Sequence, residues 1–306
     1  MYDKSDPRSA LQSGAKKAAA RPMEPASDAQ YGLFYKDAPA EDDANGKTWY
    51  ARGQNFIIAY SETLPGATFE RQGQADEYCV ILEFPDTPLV ATAGSQEEST
   101  DGYAFIVMPP GDSKIMLPKG GRLVRLFTSR AEDLAAKCSN AAAYATPTAN
   151  VPPFQQWPAP AGGYKIRIYS LDVPPEEGRL GRIWRCTTFM INMPHVAYGK
   201  RDTSKLSPHH HDDFEQCSLA LDGTWTHHMR WPWTIDQKDW REDVHAVVDS
   251  PSITVIPPPV VHTSVASSER NQLVDIFAPP RIDFSLRPGW VLNAEDYPMP
   301  EAAEAA

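Results

Sequence analysis

The sequence predicts an all-β chain folded as two tandem barrels, and three observations carry that expectation. Short apolar runs of β type recur along most of its 306 residues. Turn-formers, chiefly 29 prolines, separate those runs, and such punctuation favours many short strands over long helices. The third observation is an internal repeat. VMPPGDSK at 107–114 aligns with VIPPPVVH at 255–262, and LVRLF at 123–127 with LVDIF at 273–277, at offsets of 148 and 150 residues. Upstream, EYCVIL at 77–82 answers EQCSLA at 215–220, an offset of 138. Three matches in one order point to two copies of one unit.

Residues 1–45 are rich in Ala, Asp, Lys, Pro and Ser without a period. They read as an arm, flexible or laid across another surface and ordered only in an assembly. The first barrel is expected over 46–130, with strands at 55–60, 77–84, 89–93, 103–108 and 122–128. Residues 131–163 follow, one short alanine-rich helix at 131–145 and then a proline-extended linker. The second barrel is expected over 164–285, with strands at 165–171, 183–193, 215–221, 224–231, 252–256 and 272–277. In the tail, 286–306, Trp290 and Tyr297 are expected to pack back on a barrel and the final EAAEAA to fray.

A formal charge of −11 argues against nucleic acid or an anionic membrane surface as partner. No run approaches 18 apolar residues, and the N-terminus has no apolar core segment, so neither a membrane span nor a signal peptide is expected. Cys79, Cys138, Cys186 and Cys217 form no CxxC pair, which suits a reduced, cytoplasmic protein.

Chemistry concentrates at 208–223, PHHHDDFEQCSLALDG. In an extended strand His209 and His211 share a face, and Glu215 follows after three residues. Neutral imidazoles and a carboxylate are a ligand set that Fe(II), Mn(II) and Zn(II) accept. A solvated, histidine-rich loop is the plainer alternative. His262, past a Pro-rich turn, is the fourth ligand candidate, since a closed barrel brings distant strand positions together. His210 points the other way. The repeat places Arg71, Gly73, Glu77 and Lys114 where the second copy has His209, His211, Glu215 and His262. Arg71, Glu77 and Lys114 would then form a charge-paired cluster, by itself or around a small anion. All eight histidines lie between His195 and His262.

These residues resemble the cupin superfamily. Its first motif, G-x5-H-x-H-x3,4-E-x6-G, is matched by His209, His211 and Glu215, with Gly223 one residue late. Its second, G-x5-P-x-G-x2-H-x3-N, is matched at Pro257 and His262 but has Pro251, Pro259 and Ala266 where Gly, Gly and Asn stand. The resemblance, over about 230 residues, implies a bicupin: two jelly-roll barrels, with a metal only in the C-terminal one. It implies one divalent ion, Fe(II) favoured and Mn(II), Zn(II) or Ni(II) as alternatives, held by His209, His211, Glu215 and His262.

After Gly223, TWTHHMRWPW alternates Trp225, His227, Met229 and Trp231 with Thr226, His228 and Arg230. One set lines the barrel, and the order does not say which. His228 and Arg230 would receive a carboxylate or enolate oxygen; His227 would sit in a more apolar pocket. Cys217 and Leu219 share the face of Glu215 and are expected in the pocket wall, with Tyr198, Trp233 and Trp290 as candidate mouth aromatics. The reading is an Fe(II) dioxygenase of a small aromatic or dicarbonyl carboxylate, with His228, Arg230 and His227 as candidate catalytic residues. A redox-neutral isomerase, lyase or hydrolase is the second reading, and a ligand-binding bicupin without activity the third. The partner is a small molecule, and self-association is left open by the arm and the barrel edges.

Overall fold

Strands whose two faces are both covered read as unbroken apolar runs, and those with one wet face alternate. The chain uses both kinds, as its computed structural model, which describes residues 24–301, shows. The first half holds β1 (Gln30–Gly32), β2 (Glu41–Asp43), β3 (Gly46–Arg52), β4 (Phe56–Thr63), β5 (Ala67–Gln74), β6 (Tyr78–Leu82), β7 (Leu89–Ala93), β8 (Gln96–Thr100), β9 (Ala104–Met108), β10 (Gly111–Leu117), β11 (Gly121–Thr128) and α1 (Glu132–Ala135). The second holds β12 (Arg167–Ser170), β13 (Arg182–Arg185), β14 (Met190–Met193), β15 (Ala197–Tyr198), β16 (Gln216–Asp222), β17 (Trp225–Arg230), β18 (Val244–Val248), β19 (Ser252–Ile256), β20 (Val261–Ala266), β21 (Arg270–Phe277) and α2 (Ile282–Ser285).

Two barrels result. In the first, the sheet β12-β9-β6-β11-β4-β3-β2 closes on β5-β10-β7-β8; in the second, β1-β19-β16-β21-β14-β13, with β15 on β21, closes on β18-β17-β20. The strands β6, β9 and β19, buried throughout, and β16, buried up to Leu221, belong to the large sheets, which pack on each other. Ile58, Cys79, Ile81, Phe105 and Leu126 of one meet Trp184, Ile191, Cys217, Leu219 and Ile276 of the other. Each such large side chain contributes on the order of 1.5–3 kcal/mol, so the two barrels are held as one unit.

The interiors differ. The first barrel is filled by Tyr50, Ile57, Tyr78, Val80, Leu82, Ile106, Ile115, Leu117 and Phe127. The second keeps Gln216, Ser218, Thr254, His227 and His262 buried inside it. Cys217 and Leu219 therefore face the neighbouring barrel, and the wall expected of them is made by Gln216, Ser218 and Ala220, because alternation starts one residue later.

Several boundaries move. The arm's residues 30–32 are a strand of the second barrel, pairing Tyr31 with Thr254 within this one chain. Residues 1–23 lie outside the described part. Conversely, Arg167–Ser170, expected in the second barrel, pairs with β9 of the first. The barrels thus exchange edge strands, each covering an edge of the other that would otherwise carry unpaired amides. The alanine-rich stretch holds two short turns, α1 and a 3-10 turn at Ala141–Tyr144. Between them Asn140 pairs with both main-chain groups of Arg52 on β3, which breaks the helix. The expected strand at 183–193 is the β13–β14 hairpin, turning where the Cys186 N–H reaches the Phe189 carbonyl. Trp290 packs against Phe284 under the second barrel, and Tyr297 between the barrels. Residues 302–306, in the expected fraying end, lie outside the described part.

Candidate metal centre

The second barrel brings His209, His211 and His262 together, with one ring nitrogen from each inside a group spanning 4.8 Å. Local backbone explains it. His209 and His262 form an isolated antiparallel bridge, each donating its N–H to the other's carbonyl at 3.0 and 2.8 Å. Paired residues present their side chains on one face, and their rings lie 4.5 Å apart. His211, two residues on, joins the same face and is buried against Phe214. Burial, the cationic Arg281 nearby and the two other imidazoles hold His211 well below the usual imidazole range, so it is neutral.

Glu215 is elsewhere. One carboxylate oxygen accepts from the Gln54 amide at 2.6 Å and the other from the Tyr144 hydroxyl at 3.1 Å, both in the first half of the chain. Burial pushes its carboxyl up to about 7. The group on the imidazoles is Gln216, whose Oε1 lies 2.8 Å from His211 Nε2 and 3.2 Å from His262 Nε2. Counted from Gln216, the closing glycine of the motif is no longer late: six residues separate it from Gly223. The motif's variable spacer hid this, since either count was admissible.

The chemistry of this donor set fits a cation. A main-chain carbonyl only accepts, so His262 Nδ1, 2.9 Å from the Val260 oxygen, carries that ring's proton, as does His209 Nδ1 at 2.9 Å from the Ser207 oxygen. In neutral rings Nε2 is then a lone pair. The Gln216 amide is oriented by Asp275, which accepts from its Nε2 at 3.2 Å, so its oxygen faces the rings. With the His262 ring neutral, its Nε2 and Gln216 Oε1 are two acceptors at 3.2 Å. Such a contact repels unless a positive charge lies between them. Three imidazoles and an amide oxygen suit Fe(II), Mn(II), Ni(II) or Zn(II).

The other expected residues separate by face. On β17, Trp225, His227 and Met229 are buried while His228 and Arg230 point outward. His227 is fully enclosed, its Nδ1 2.8 Å from the Ser264 hydroxyl, and burial pushes it down to about 3. His228 instead meets His245 on the outer surface at 2.7 Å, and Arg230 pairs with Asp243 across the same exposed sheet. Neither reaches the interior, because Trp225 and Met229 are the bulkier apolar residues and take the buried face. His210 is exposed beside Asp212. Tyr198 lies on the lip of the cavity, Trp233 stacks on Trp240 outside, and Trp290 is core.

The cavity beside the triad is about 330 Å³ and is lined by His209, Gln216, His262, Ser264, Asn192 and Asp275, with His195, Lys200 and Arg201 also on its wall. The sequence reading missed Arg201, which donates to the Ser264 carbonyl at 2.8 Å and the Ser207 hydroxyl at 3.3 Å. Those two serines are the residues whose other groups hold His209 and His227.

The first barrel has no counterpart of this centre among the described residues. Arg71 pairs with Asp133, Lys114 with Glu70, and Glu77 is buried against Thr187 and Tyr297, so the expected cluster does not assemble. The β10–β5 pairing slips by one residue between Gly111 and Ser113, the extra residue lying on β5, and Ser113 pairs with Arg71 as His262 pairs with His209. Lys114 is thereby turned outward, and the Tyr78–Ser113 hydrogen bond of 3.0 Å stands where Gln216 meets His262.

No family model matches the chain, and no curated protein matches it significantly. Solved structures do. An oxalate decarboxylase formate complex from Lactobacillus farciminis superposes with a TM-score of 0.55 at 11% identity, over 85% of this chain and 88% of that one. AerE from Microcystis aeruginosa gives 0.51 at 11% identity, over 76% and 92%. An IolB-like protein from Salmonella typhimurium LT2 gives 0.51 at 10% identity, over 80% and 92%. At such identities the likeness is one of fold. The chain has the bicupin fold of two tandem jelly-roll barrels.

Proposed function

We propose that this protein is a metal-dependent enzyme of a small anionic substrate, with one divalent ion held by His209, His211, His262 and the Gln216 oxygen. The observation that carries it is the convergence of three imidazoles, one ring nitrogen from each within 4.8 Å of the others, with Gln216 Oε1 against two of them. When bound, the ion would act as a Lewis acid on a substrate oxygen. The chain's own groups supply the rest. Arg201, fixed along the cavity wall, takes a carboxylate, and Ser264 with His227 behind it moves a proton at the cavity surface. These inward groups favour a redox-neutral isomerase, lyase or hydrolase. The cytoplasmic setting belongs to the same proposal, and all four cysteines are free thiols.

An Fe(II) dioxygenase is the second reading, favoured by a donor set that suits iron equally well. It loses the substrate anchor expected of Arg230, which lies outside. Elemental analysis of the purified protein tests the centre, and assays with and without oxygen separate the two readings. Turnover that persists anaerobically with Mn(II) or Zn(II) selects the first, and obligatory oxygen consumption with Fe(II) the second. Activity that survives His262→Ala would sink both.

A further inference from the structure

We propose that the substrate is a hydroxylated carboxylic acid, its carboxylate taken by Arg201 and its hydroxyl groups read by Asn192 and Asp275, the cavity-lining members of a polar row. The inference rests on the cavity beside the triad being the substrate site. The row crosses four neighbouring strands in register: Thr254 on β19 pairs with Ser218 on β16, Ser218 with Asp275 on β21, and Asp275 with Asn192 on β14. At the equivalent row of the first barrel stand Ile106, Val80, Arg125 and Ala59, a mainly apolar floor in a filled interior.

Two atoms of the polar row are buried without a hydrogen-bond partner, Asn192 Oδ1 and Thr254 Oγ1. Leaving such buried groups unpaired is costly, and folding alone does not repay it. Asn192 is 4% exposed and lines the cavity, and Gly181 makes room for it: a Cβ there would come within 2.5 Å of the Asn192 oxygen. Asp275 adds a carboxylate, an acceptor that already orients Gln216 and Ser218. Floor groups of this kind ask for donors, and hydroxyls are the donors a small acid carries beside its carboxylate. Along the wall, Arg201 with Lys200 makes the complementary cationic side. The cavity's 330 Å³ accommodates a small acid of this kind.

The test is calorimetric binding of three probes of similar size to the full chain, with and without Mn(II): gluconate (carboxylate and hydroxyls), hexanoate (carboxylate only) and glucitol (hydroxyls only). Gluconate is expected to bind about tenfold or more tightly than either, because a site built for hydroxyls rejects analogues lacking them. Asn192→Val is expected to abolish the preference over hexanoate, and Arg201→Gln the preference over glucitol, with Arg201→Lys restoring part of it. Mn(II) stoichiometry, read by electron paramagnetic resonance, should be unchanged in all three variants, which shows them folded around the triad. Equal binding of gluconate and hexanoate by the wild type, or a preference that survives Asn192→Val and Arg201→Gln, overturns the inference. Failure of Mn(II) to bind, with gluconate still preferred, overturns the metal centre alone.

Discussion

Glu77 and Glu215 hold reciprocal positions, each bracing the hairpin turn of the other barrel. Glu215 accepts from the Gln54 amide, between β3 and β4, and from Tyr144 beyond the first barrel. Glu77 accepts from the Thr187 amide, between β13 and β14, and from Tyr297 beyond the second. The repeat therefore preserved a carboxylate at this place for a role it plays in both barrels, which is to bind the halves together. That explains how a glutamate persists in the first barrel, where no triad exists. It also gives Glu215 a structural role apart from the imidazoles, with one oxygen accepting from a buried amide and the other from a hydroxyl.

The first prediction concerns Glu215 and pH. Its carboxyl stands at about 7 in the fold and near 4.5 unfolded, because burial disfavours the charge. The folded state thus binds the extra proton between these values, and this group's contribution falls as pH rises from 4.5 to 7. Ionising it in place costs on the order of 3 kcal/mol. Glu215→Gln keeps an acceptor for Gln54 and removes the cost, so the variant should melt higher than wild type at pH 8 and show little gain at pH 4.5. Melting curves at the two pH values decide it; a variant uniformly less stable at both would refute the account.

His227 makes the opposite prediction. Its imidazole is depressed to about 3 by burial, against 6.5 unfolded, so the folded state binds fewer protons over that range. Its contribution is complete above pH 6.5 and is lost as pH falls toward 3. The full effect is on the order of 5 kcal/mol. His227→Gln, which retains a partner for Ser264, should shift acid unfolding to lower pH. If the acid midpoint stays put, the buried imidazole is not what limits acid stability.

The tandem barrels were legible because the repeat and the proline punctuation both survive in sequence. What stayed hidden turned on single-residue choices. Glu215 and Gln216 are adjacent and both suit the motif, and only the start of the alternation, with Gln216 inward and Cys217 outward, selects between them. His228 and Arg230 looked catalytic because polar residues beside a metal motif invite that reading. Burial of Trp225 and Met229 decides the face of β17. The identities set Lys114 against His262 whereas the strand pairing sets Ser113 there, a one-residue slip that no pattern of identities reveals. The exchanged strands β1 and β12 are three and four residues long and pair across more than 200 and at least 60 positions respectively, beyond what local periodicity can signal.

The N-terminal strand should matter to the metal centre. Ala26 and Ala29 pack on Met229, Ile256 and Val260, and the Trp231 indole donates to the Ser27 carbonyl at 2.9 Å. Val260 is also the residue whose carbonyl fixes the His262 ring. A chain starting at residue 33 loses this packing and the pairing of β1 with β19. It should melt lower and hold its metal about tenfold less tightly, since groups behind a ligand commonly set 10–100-fold in affinity. Metal titration of both chains checks it, and equal affinity with lower melting would confine the strand to stability.

Gln216 against Glu215 is the sharpest test of the centre. Gln216→Glu places a carboxylate where the amide oxygen meets His211 and His262, and opposite charge strengthens cation binding at close range. Tighter binding of Mn(II), Fe(II) or Zn(II) by about tenfold or more is expected, together with weaker binding of anionic ligands, because the centre's net positive charge falls by one. Gln216→Leu should lose about as much affinity as the removal of a ligand does elsewhere, and His262→Ala should leave substoichiometric metal. Glu215→Gln, by contrast, should bind metal as the wild type does, since its carboxylate faces Gln54 and Tyr144. Competitive titration against a chromophoric chelator measures all four. A large loss in Glu215→Gln with none in Gln216→Leu would restore Glu215 as the ligand and reverse the assignment.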